Sequence, residues 1–187
     1  MNKDKYALLV IDMQLVAFDG QITPPIANGS QILGRVSTLI GYCRSKELPV
    51  IYTQTCAFPG QPYSKDVHGW EIHPDVAPLA DERIVFKVGP SGFENPELDH
   101  ILAELDVGRL IVCGIWSEGC VAITCESALE HGYDVYLAAD AHGTVRNSDE
   151  EAALVVAEQN DKLEQRKVIV LKTGDIESHL GRANFCS

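Results

Sequence analysis

The stretch from residue 110 to residue 140, LIVCGIWSEGCVAITCESALEHGYDVYLAAD, decides the fold class. It opens on a continuous apolar run, Leu110–Ile115, which is typical of a strand buried on both faces of a sheet. A helical pattern follows at about Cys120–His131, and a second apolar run, Val135–Ala139, predicts another strand. A strand, a helix and a strand in this order favour a largely parallel sheet with helices on its faces.

The same alternation of apolar runs and helical patterns continues along the chain. Further strands are predicted at Tyr6–Ile11, Pro49–Thr53, Ile84–Val88 and Val168–Leu171, and further helices at Ile26–Lys46, Glu94–Leu105 and Ser148–Leu163. We therefore predict an α/β protein with three layers, α/β/α, around a mainly parallel sheet. No linker, repeat or low-complexity segment divides the chain, so residues 1–187 are expected to form a single domain.

Composition excludes several classes of protein. Lys and Arg number 15 against 27 Asp and Glu, a formal net charge of −12, and no basic run suggests nucleic-acid binding. No apolar run approaches the roughly 20 residues that span a membrane. The cysteines are scattered and form no C-x-x-C pair, so we expect neither a disulfide scaffold nor a zinc site, and the location is expected to be cytoplasmic. They are Cys43, Cys56, Cys113, Cys120, Cys125 and Cys186.

Polar side chains at strand ends mark the candidate site. In open α/β sheets ligands bind beyond the carboxyl ends of the strands. Asp12 follows the predicted strand Tyr6–Ile11, Lys87 lies near the end of Ile84–Val88, and Cys120 follows Leu110–Ile115 after one tight turn. At the start of a helix, backbone amides and the helix dipole favour the Cys120 thiolate, and a nearby Lys87 acts in the same direction. Asp12 is then the candidate proton shuttle, as base for the thiol and acid for a leaving amine.

Each of these residues also has an ordinary structural explanation. A free cysteine is commonly a small buried hydrophobe, which is what we expect of Cys113 and Cys125. Asp at a strand end often caps a turn, and Lys in a strand is usually a solvated charge on a sheet edge. Two other functions stay open at this point: a thiol redox or sensor protein, and a catalytically silent binding module. Neither explains Asp12 and Lys87.

Three separate motifs carry a resemblance to a known family. The segment from Cys113 to Ala141, with its strand-ending Gly, a Ser three residues before Cys120, and later Gly-Tyr and Asp-Ala pairs, resembles the nucleophile segment of the isochorismatase-like cysteine hydrolases. Val10-Ile-Asp-Met-Gln14 is similar to the opening strand of that family. Phe86-Lys87 with Ser91-Gly-Phe93 resembles its lysine motif. Together the motifs span roughly residues 6 to 145.

The resemblance implies a fold, a triad and a chemistry. The fold is the isochorismatase-like one, with Rossmann-like topology. The triad is Cys120, Asp12 and Lys87, beside a cis peptide between Ile115 and Trp116, and the amides of Trp116 and Cys120 would form an oxyanion hole. Because the true isochorismatases of the family lack the cysteine, Cys120 implies covalent attack on an acyl-like carbon. We expect cleavage of a C–N bond in a small amide, ureide or lactam through a thioester.

Aromatic residues and a long loop predict the substrate pocket. The loop Thr55–Asp81 has no regular period, and loops of this length in compact domains are usually functional. We expect a small, flat substrate to contact Phe18, Tyr63, Trp70, Glu71, Phe93 and Trp116. The alternative for the aromatics is that they anchor the loop. Three residues separate the Asp-Met-Gln motif from Phe18 where the family usually has two, so this aromatic is expected to point differently.

We expect no metal and no cofactor. Nicotinamidases of the family use Asp-x-His as metal ligands, and Thr53-Gln-Thr-Cys56 stands at that place here. His68 and His73 follow in the loop without such a carboxylate, so nicotinamidase activity is disfavoured, and they are more simply surface or substrate-facing residues. Relatives in this family assemble into dimers, tetramers or rings. The resemblance therefore implies a homo-oligomer.

Overall fold

Six strands form the centre of the protein. The computed structural model describes the backbone of residues 4–183 and the side chains of residues 4–181, so Cys186 lies outside the described residues. The strands are β1 (Tyr6–Ile11), β2 (Val50–Thr55), β3 (Arg83–Lys87), β4 (Arg109–Ile115), β5 (Asp134–Gly143) and β6 (Ile169–Leu171). They form one parallel sheet in the order β3-β2-β1-β4-β5-β6. The predicted mainly parallel sheet is confirmed.

Five helices cover the two faces of the sheet. They are α1 (Gly29–Ser45), α2 (Glu97–Glu104), α3 (Ala122–Glu130), α4 (Asp149–Gln165) and α5 (Thr173–Ala183). Helices α1 and α5 pack into one hydrophobic core, and α2, α3 and α4 into the other. The predicted three layers, α/β/α, are therefore confirmed. None of the helices in residues 4–183 is long and apolar enough to cross a membrane.

Strand β1 shows why the buried strands are apolar without interruption. Its side chains alternate between the two cores, so Leu8 and Val10 enter one core, and Leu9 and Ile11 enter the other. All four are fully buried. Since both faces of the sheet are covered by helices, every position of the strand must be apolar.

The order in which the chain adds strands to the sheet reverses between β1 and β4. The chain proceeds from β1 outward through β2 to β3, and then returns to start the other half at β4. Such a switch point is where open α/β sheets bind ligands. At its carboxyl edge Ile11 pairs with Gly114, whose φ is 122°. A Cβ at residue 114 would overlap the Ile11 carbonyl oxygen, so only glycine allows this approach.

Several elements differ from their predicted bounds. The helix predicted from Glu94 begins at Glu97, because Ser91 and Glu94 form a capping box around a separate short turn, Gly92–Glu94. Strand β5 continues beyond the predicted Ala139 to Gly143, after a shift in its register with β4. Helix α5 was not predicted at all.

Candidate active site

Three side chains from the carboxyl edge of the sheet meet at one place. Asp12 directly follows β1, Lys87 ends β3, and Cys120 lies in the turn after β4. The Lys87 Nζ atom lies 2.7 Å from Asp12 Oδ2 and 3.3 Å from Cys120 Sγ. The Asp12 and Lys87 side chains are 2% and 0% exposed, which rules out a solvated charge at the sheet edge for Lys87. The structure thus brings together the residues that the sequence placed at strand ends.

Lys87 is held by four oxygen or sulfur partners. Besides Asp12 and Cys120, its ammonium donates to Thr55 Oγ1 and to the Gly89 carbonyl oxygen, both at 3.1 Å. Burial acts to lower the pKa of Lys87, but its interactions with the Asp12 carboxylate and the Cys120 sulfur outweigh it, so the pKa is raised. The lysine is therefore a fixed positive charge between the carboxylate and the sulfur.

The Asp12 carboxylate is fixed by two threonines of β2. Thr53 Oγ1 donates to Oδ1 at 2.9 Å, and Thr55 Oγ1 donates to Oδ2 at 3.0 Å. Asp12 itself has φ 49°, a left-handed conformation that Asp tolerates better than most residues. Hydrogen bonds and the Lys87 charge therefore hold the carboxylate in one orientation. The residue is not simply a turn cap.

Cys120 lies in a distorted turn, Ser117–Val121, that precedes α3. Gly119 has non-helical dihedral angles, and the Gly119 and Val121 amides both donate to the Trp116 carbonyl oxygen. Burial, followed by the negative charge of Asp12, raises the pKa of Cys120 to about 11, although Lys87 acts against this. The expectation of a stabilised thiolate is therefore wrong, because the carboxylate and burial outweigh the lysine.

Two aromatic residues, Tyr63 and Trp116, lie beside the group formed by Asp12, Lys87 and Cys120. Their rings meet edge to face, with centroids 6.4 Å apart. Burial, followed by the charges of Asp12 and Cys120, raises the pKa of Tyr63, and the smaller effect of Trp116 opposes this. The Tyr63 hydroxyl is buried close to the Trp116 side chain, and its geometry meets the criteria for a hydrogen bond with none of the described residues. The peptide between Ile115 and Trp116 is cis.

Trp70 anchors the long loop to the end of β2. Its indole donates to the Thr55 carbonyl oxygen at 3.1 Å, and its own carbonyl oxygen accepts from Gln14 and Gln54 at 2.7 and 2.9 Å. The ring also stacks on Phe86, with centroids 5.9 Å apart. These contacts fix the loop beside Thr55, which itself bonds Asp12 and Lys87.

The remaining residues that were assigned to the pocket make other contacts. Phe18 packs on His73, with ring centroids 5.3 Å apart, beside a cavity of about 680 Å³ near the start of α1. Phe93 contacts His131 and Tyr133, and Glu71 is exposed. For Phe18 and Phe93 these contacts correspond to the anchoring alternative. A substrate-binding role for these residues stays a prediction.

The place where nicotinamidases carry metal ligands is used differently here. Thr53 and Thr55 donate to Asp12, and the Gln54 amide nitrogen donates to the Trp70 carbonyl oxygen, so this segment supports Asp12 and the loop. His68 pairs with Asp19 at 2.9 Å, and His73 accepts from a backbone amide. Within residues 4–181 no group of at least three metal-ligating side chains is found. The donor set does not fit a metal.

Some functional residues were missed at the level of sequence. Thr53 and Thr55, two positions apart at the end of β2, must face the same side of the strand, and this pattern would have predicted them. No sequence pattern identified Gln14 as a loop anchor, since its partners are backbone atoms. Cys113 and Cys125 are fully buried, as expected of core cysteines.

Comparison with known proteins identifies the family. The Isochorismatase domain model matches residues 6–169. A streptothricin hydrolase of Streptomyces noursei is 37% identical over 138 residues, or 74% of this chain and 49% of that protein. The uncharacterized isochorismatase family protein YddQ of Bacillus subtilis is 34% identical over 141 residues, or 74% of this chain and 77% of that protein.

A solved structure agrees with these sequence matches. An isochorismatase-like hydrolase from Alkaliphilus metalliredigens superposes with a TM-score of 0.80 at 25% identity, over 94% of this chain and 99% of that one. The chain spans about half the length of the streptothricin hydrolases that it matches. The matched region nevertheless contains strands β1 to β5 and the first residue of β6. It also contains all three side chains that meet at the sheet edge. The chain therefore belongs to the isochorismatase family of hydrolases.

Proposed function

We propose that this protein cleaves a non-peptide C–N bond in a small amide, ureide or lactam, with Cys120 as nucleophile and a thioester intermediate. The observation that carries the proposal is the contact of one buried ammonium, Lys87 Nζ, with both the Asp12 carboxylate at 2.7 Å and the Cys120 sulfur at 3.3 Å. A base and a nucleophile held together in this way are the basic requirement for covalent catalysis at an acyl carbon.

The proton passes between Cys120 and Asp12 in each half of the reaction. As the sulfur bonds to the acyl carbon, Asp12 takes the thiol proton, and the amides of Trp116 and Cys120 stabilise the oxyanion. The C–N bond then breaks, and Asp12 returns the proton to the leaving nitrogen. In the second half Asp12 takes a proton from water, whose oxygen attacks the thioester, and the Cys120 thiol is restored. Lys87 keeps both groups in place.

The raised pKa of Cys120 favours a hydrolase over a thiol sensor. Burial and the Asp12 carboxylate raise the pKa of Cys120 to about 11, so the protonated thiol is favoured near neutral pH. A sensor needs a standing thiolate, whereas a hydrolase needs only a base that removes the proton during attack. Asp12 is placed as such a base. Cys125, which lies on α3 shortly after Cys120, is fully buried, and a resolving thiol would have to be accessible.

The proposal is tested with a panel of candidate substrates. The panel contains small amides, N-carbamoyl compounds, lactams and streptothricin, the last because a streptothricin hydrolase is a relative. We expect release of ammonia or amine from at least one open-chain compound, or the gain of one water by a cyclic one, as measured by mass spectrometry. Turnover that is equal in the Cys120→Ala variant would contradict the proposed mechanism.

The Tyr63 hydroxyl is expected to donate a hydrogen bond to the substrate. Its raised pKa keeps it protonated, and it lies near Asp12, Cys120 and Trp116 without a well-formed hydrogen bond to any residue that the structure describes. Tyr63→Phe should therefore lower kcat/KM about tenfold, the value of one hydrogen bond, without lowering the free energy of unfolding. Both quantities are measured on the same preparation, by steady-state kinetics and by denaturant unfolding.

Tyr42 provides the matched control. Its hydroxyl donates to the Glu177 carbonyl oxygen at 2.8 Å, between α1 and α5. Tyr42→Phe should lower the free energy of unfolding by about 1 kcal/mol and leave kcat/KM unchanged. If Tyr63→Phe has the kcat/KM of the native protein, the Tyr63 hydroxyl does not bind substrate.

The homo-oligomeric state and the cytoplasmic location stay predictions.

A further inference from the structure

A buried chain of hydrogen bonds connects α4 to the turn that carries Cys120. His142, near the end of β5, lies 2.8 Å through Nδ1 from Ser117 Oγ and 3.0 Å through Nε2 from Asn160 Oδ1. Asn160 on α4 in turn donates from Nδ2 to the Ala139 carbonyl oxygen at 3.0 Å. His142 is 2% exposed and Ser117 is fully buried. The mechanism above uses none of these three side chains.

The partners of Asn160 fix the tautomer of His142. Because the Asn160 Nδ2 group donates to Ala139, its Oδ1 atom faces the histidine and can only accept. His142 Nε2 must therefore carry the proton, and Nδ1 must be an acceptor. The Ser117 hydroxyl then donates to Nδ1. Burial also lowers the pKa of His142, which agrees with a neutral ring.

The register of the sheet creates this contact. Val112 pairs with Leu137, but Gly114 pairs with His142, so β5 inserts extra residues beside the end of β4. His142 is thereby brought opposite the residues that lead into the Cys120 turn. The insertion places a nitrogen acceptor where Ser117, the first residue of that turn, needs one.

Ser117 begins the turn whose fourth residue is Cys120. The next residue, Glu118, is also tied to the end of β5, but it accepts from Thr144 and Arg146 at a site that is about one-third exposed. Of these two connections, the one through Ser117 is buried and has each of its histidine nitrogens hydrogen-bonded, and such networks fix a single conformation. Exposed ion pairs contribute little by comparison.

From this geometry we infer that His142 is a positioning residue for the nucleophile: its Nδ1 atom holds Ser117 and thereby keeps the Cys120 sulfur beside Asp12 and Lys87. This inference rests on the proposed function, because a residue can position a nucleophile only if Cys120 is one. It concerns a geometry, however, that can be measured without any substrate.

A pair of variants separates the two hydrogen bonds of the histidine. In His142→Asn the amide oxygen can occupy the place of Nδ1 and accept from Ser117. In His142→Gln the amide nitrogen can occupy the place of Nε2 and donate to Asn160, but Ser117 loses its acceptor. If the hydrogen bond to Ser117 sets the geometry, only the glutamine variant releases the sulfur from Asp12 and from its partly buried position.

The readout is the apparent pKa of Cys120, taken from the pH dependence of its alkylation by iodoacetamide and followed on the Cys120 peptide by mass spectrometry. The pKa of His142→Gln should lie at least one unit below that of His142→Asn, toward the ordinary thiol value, since burial and Asp12 are what raise it. A separation of less than half a unit overturns the inference. His100→Asn, at an exposed position of α2, is the control and should titrate like the native protein.

The serine itself provides a second test if the histidine variants do not fold. Ser117→Thr keeps the hydroxyl donor, and Ser117→Ala removes it. The alanine variant should show the lower Cys120 pKa, again by at least one unit, and equal values in the two variants contradict the inference. Because alkylation needs no substrate, a negative result in the hydrolysis panel leaves this measurement intact, and the two proposals can fail separately.

Discussion

Replacing Cys120 by alanine should lower the hydrolysis rate by at least about 10⁴-fold, the scale of loss seen when a nucleophile is removed from a unit that acts together. The fold should tolerate the change, because alanine only shortens a partly exposed side chain. Rates are measured on the compound that the panel identifies. The free energy of unfolding is measured alongside, so that a loss of activity is not confused with a loss of folded protein.

The thioester provides an independent test of the same prediction. When the native protein is quenched in acid during turnover, intact-mass spectrometry should show one acyl adduct, and peptide mapping should place it on Cys120. Cys56→Ala is the matched control, since Cys56 is a partly exposed cysteine just beyond β2. Its adduct and its activity should equal those of the native protein. Activity that survives in Cys120→Ala, without an adduct in the native protein, would refute covalent catalysis.

Opposite shifts in the Cys120 pKa are expected when its two charged neighbours are neutralised in turn. Asp12→Asn removes the negative charge that raises the pKa and leaves the Lys87 ammonium, so the pKa should fall from about 11 by at least one unit. Lys87→Met removes the charge that lowers the pKa, so it should rise. Both variants should lose hydrolysis. The pKa is measured from the pH dependence of iodoacetamide alkylation.

The expected rates at pH 8 follow from the pKa shifts. A fall of one unit in the Cys120 pKa gives ten times more thiolate at pH 8, but a less basic thiolate is a weaker nucleophile. Alkylation of Asp12→Asn should therefore be about threefold faster for each unit by which the pKa falls. Lys87→Met should be slower than the native protein. Asp81→Asn and Lys172→Met change the same charges at exposed positions and serve as controls. Shifts of the same sign in Asp12→Asn and Lys87→Met would show that charge does not set the Cys120 pKa.

The fold could be predicted from the sequence because each signal was local. The apolar run Leu110–Ile115 and the helical pattern after it are visible without any partner, and they fix the parallel sheet. Strand ends in such a sheet share one edge, and this was enough to bring Asp12, Lys87 and Cys120 together. Helix α5 was missed because, among its described side chains, Ile176 and Leu180 are the only buried apolar ones, too few to reveal a period.

The electrostatics and the support of the site could not be predicted in the same way. The sequence indicates a cysteine near a helix start, which argues for a thiolate. It does not show that α3 begins only at Ala122 or that Asp12 outweighs Lys87 at the sulfur. The contact between Ser117 and His142 depends on a shift in the pairing of β4 with β5. Such a shift arises only when distant strands meet.

The site is divided among four adjacent strands: Lys87 comes from β3, Thr53 and Thr55 from β2, Asp12 from β1 and Cys120 from the turn after β4. Strand β3 lies at the edge of the described sheet, where β2 is its one paired neighbour among residues 4–183. When this outer strand frays, the ammonium departs while the other strands remain folded. Inactivation by heat or denaturant should therefore precede collapse of the sheet, and catalytic activity would report on the integrity of the sheet at its β3 edge.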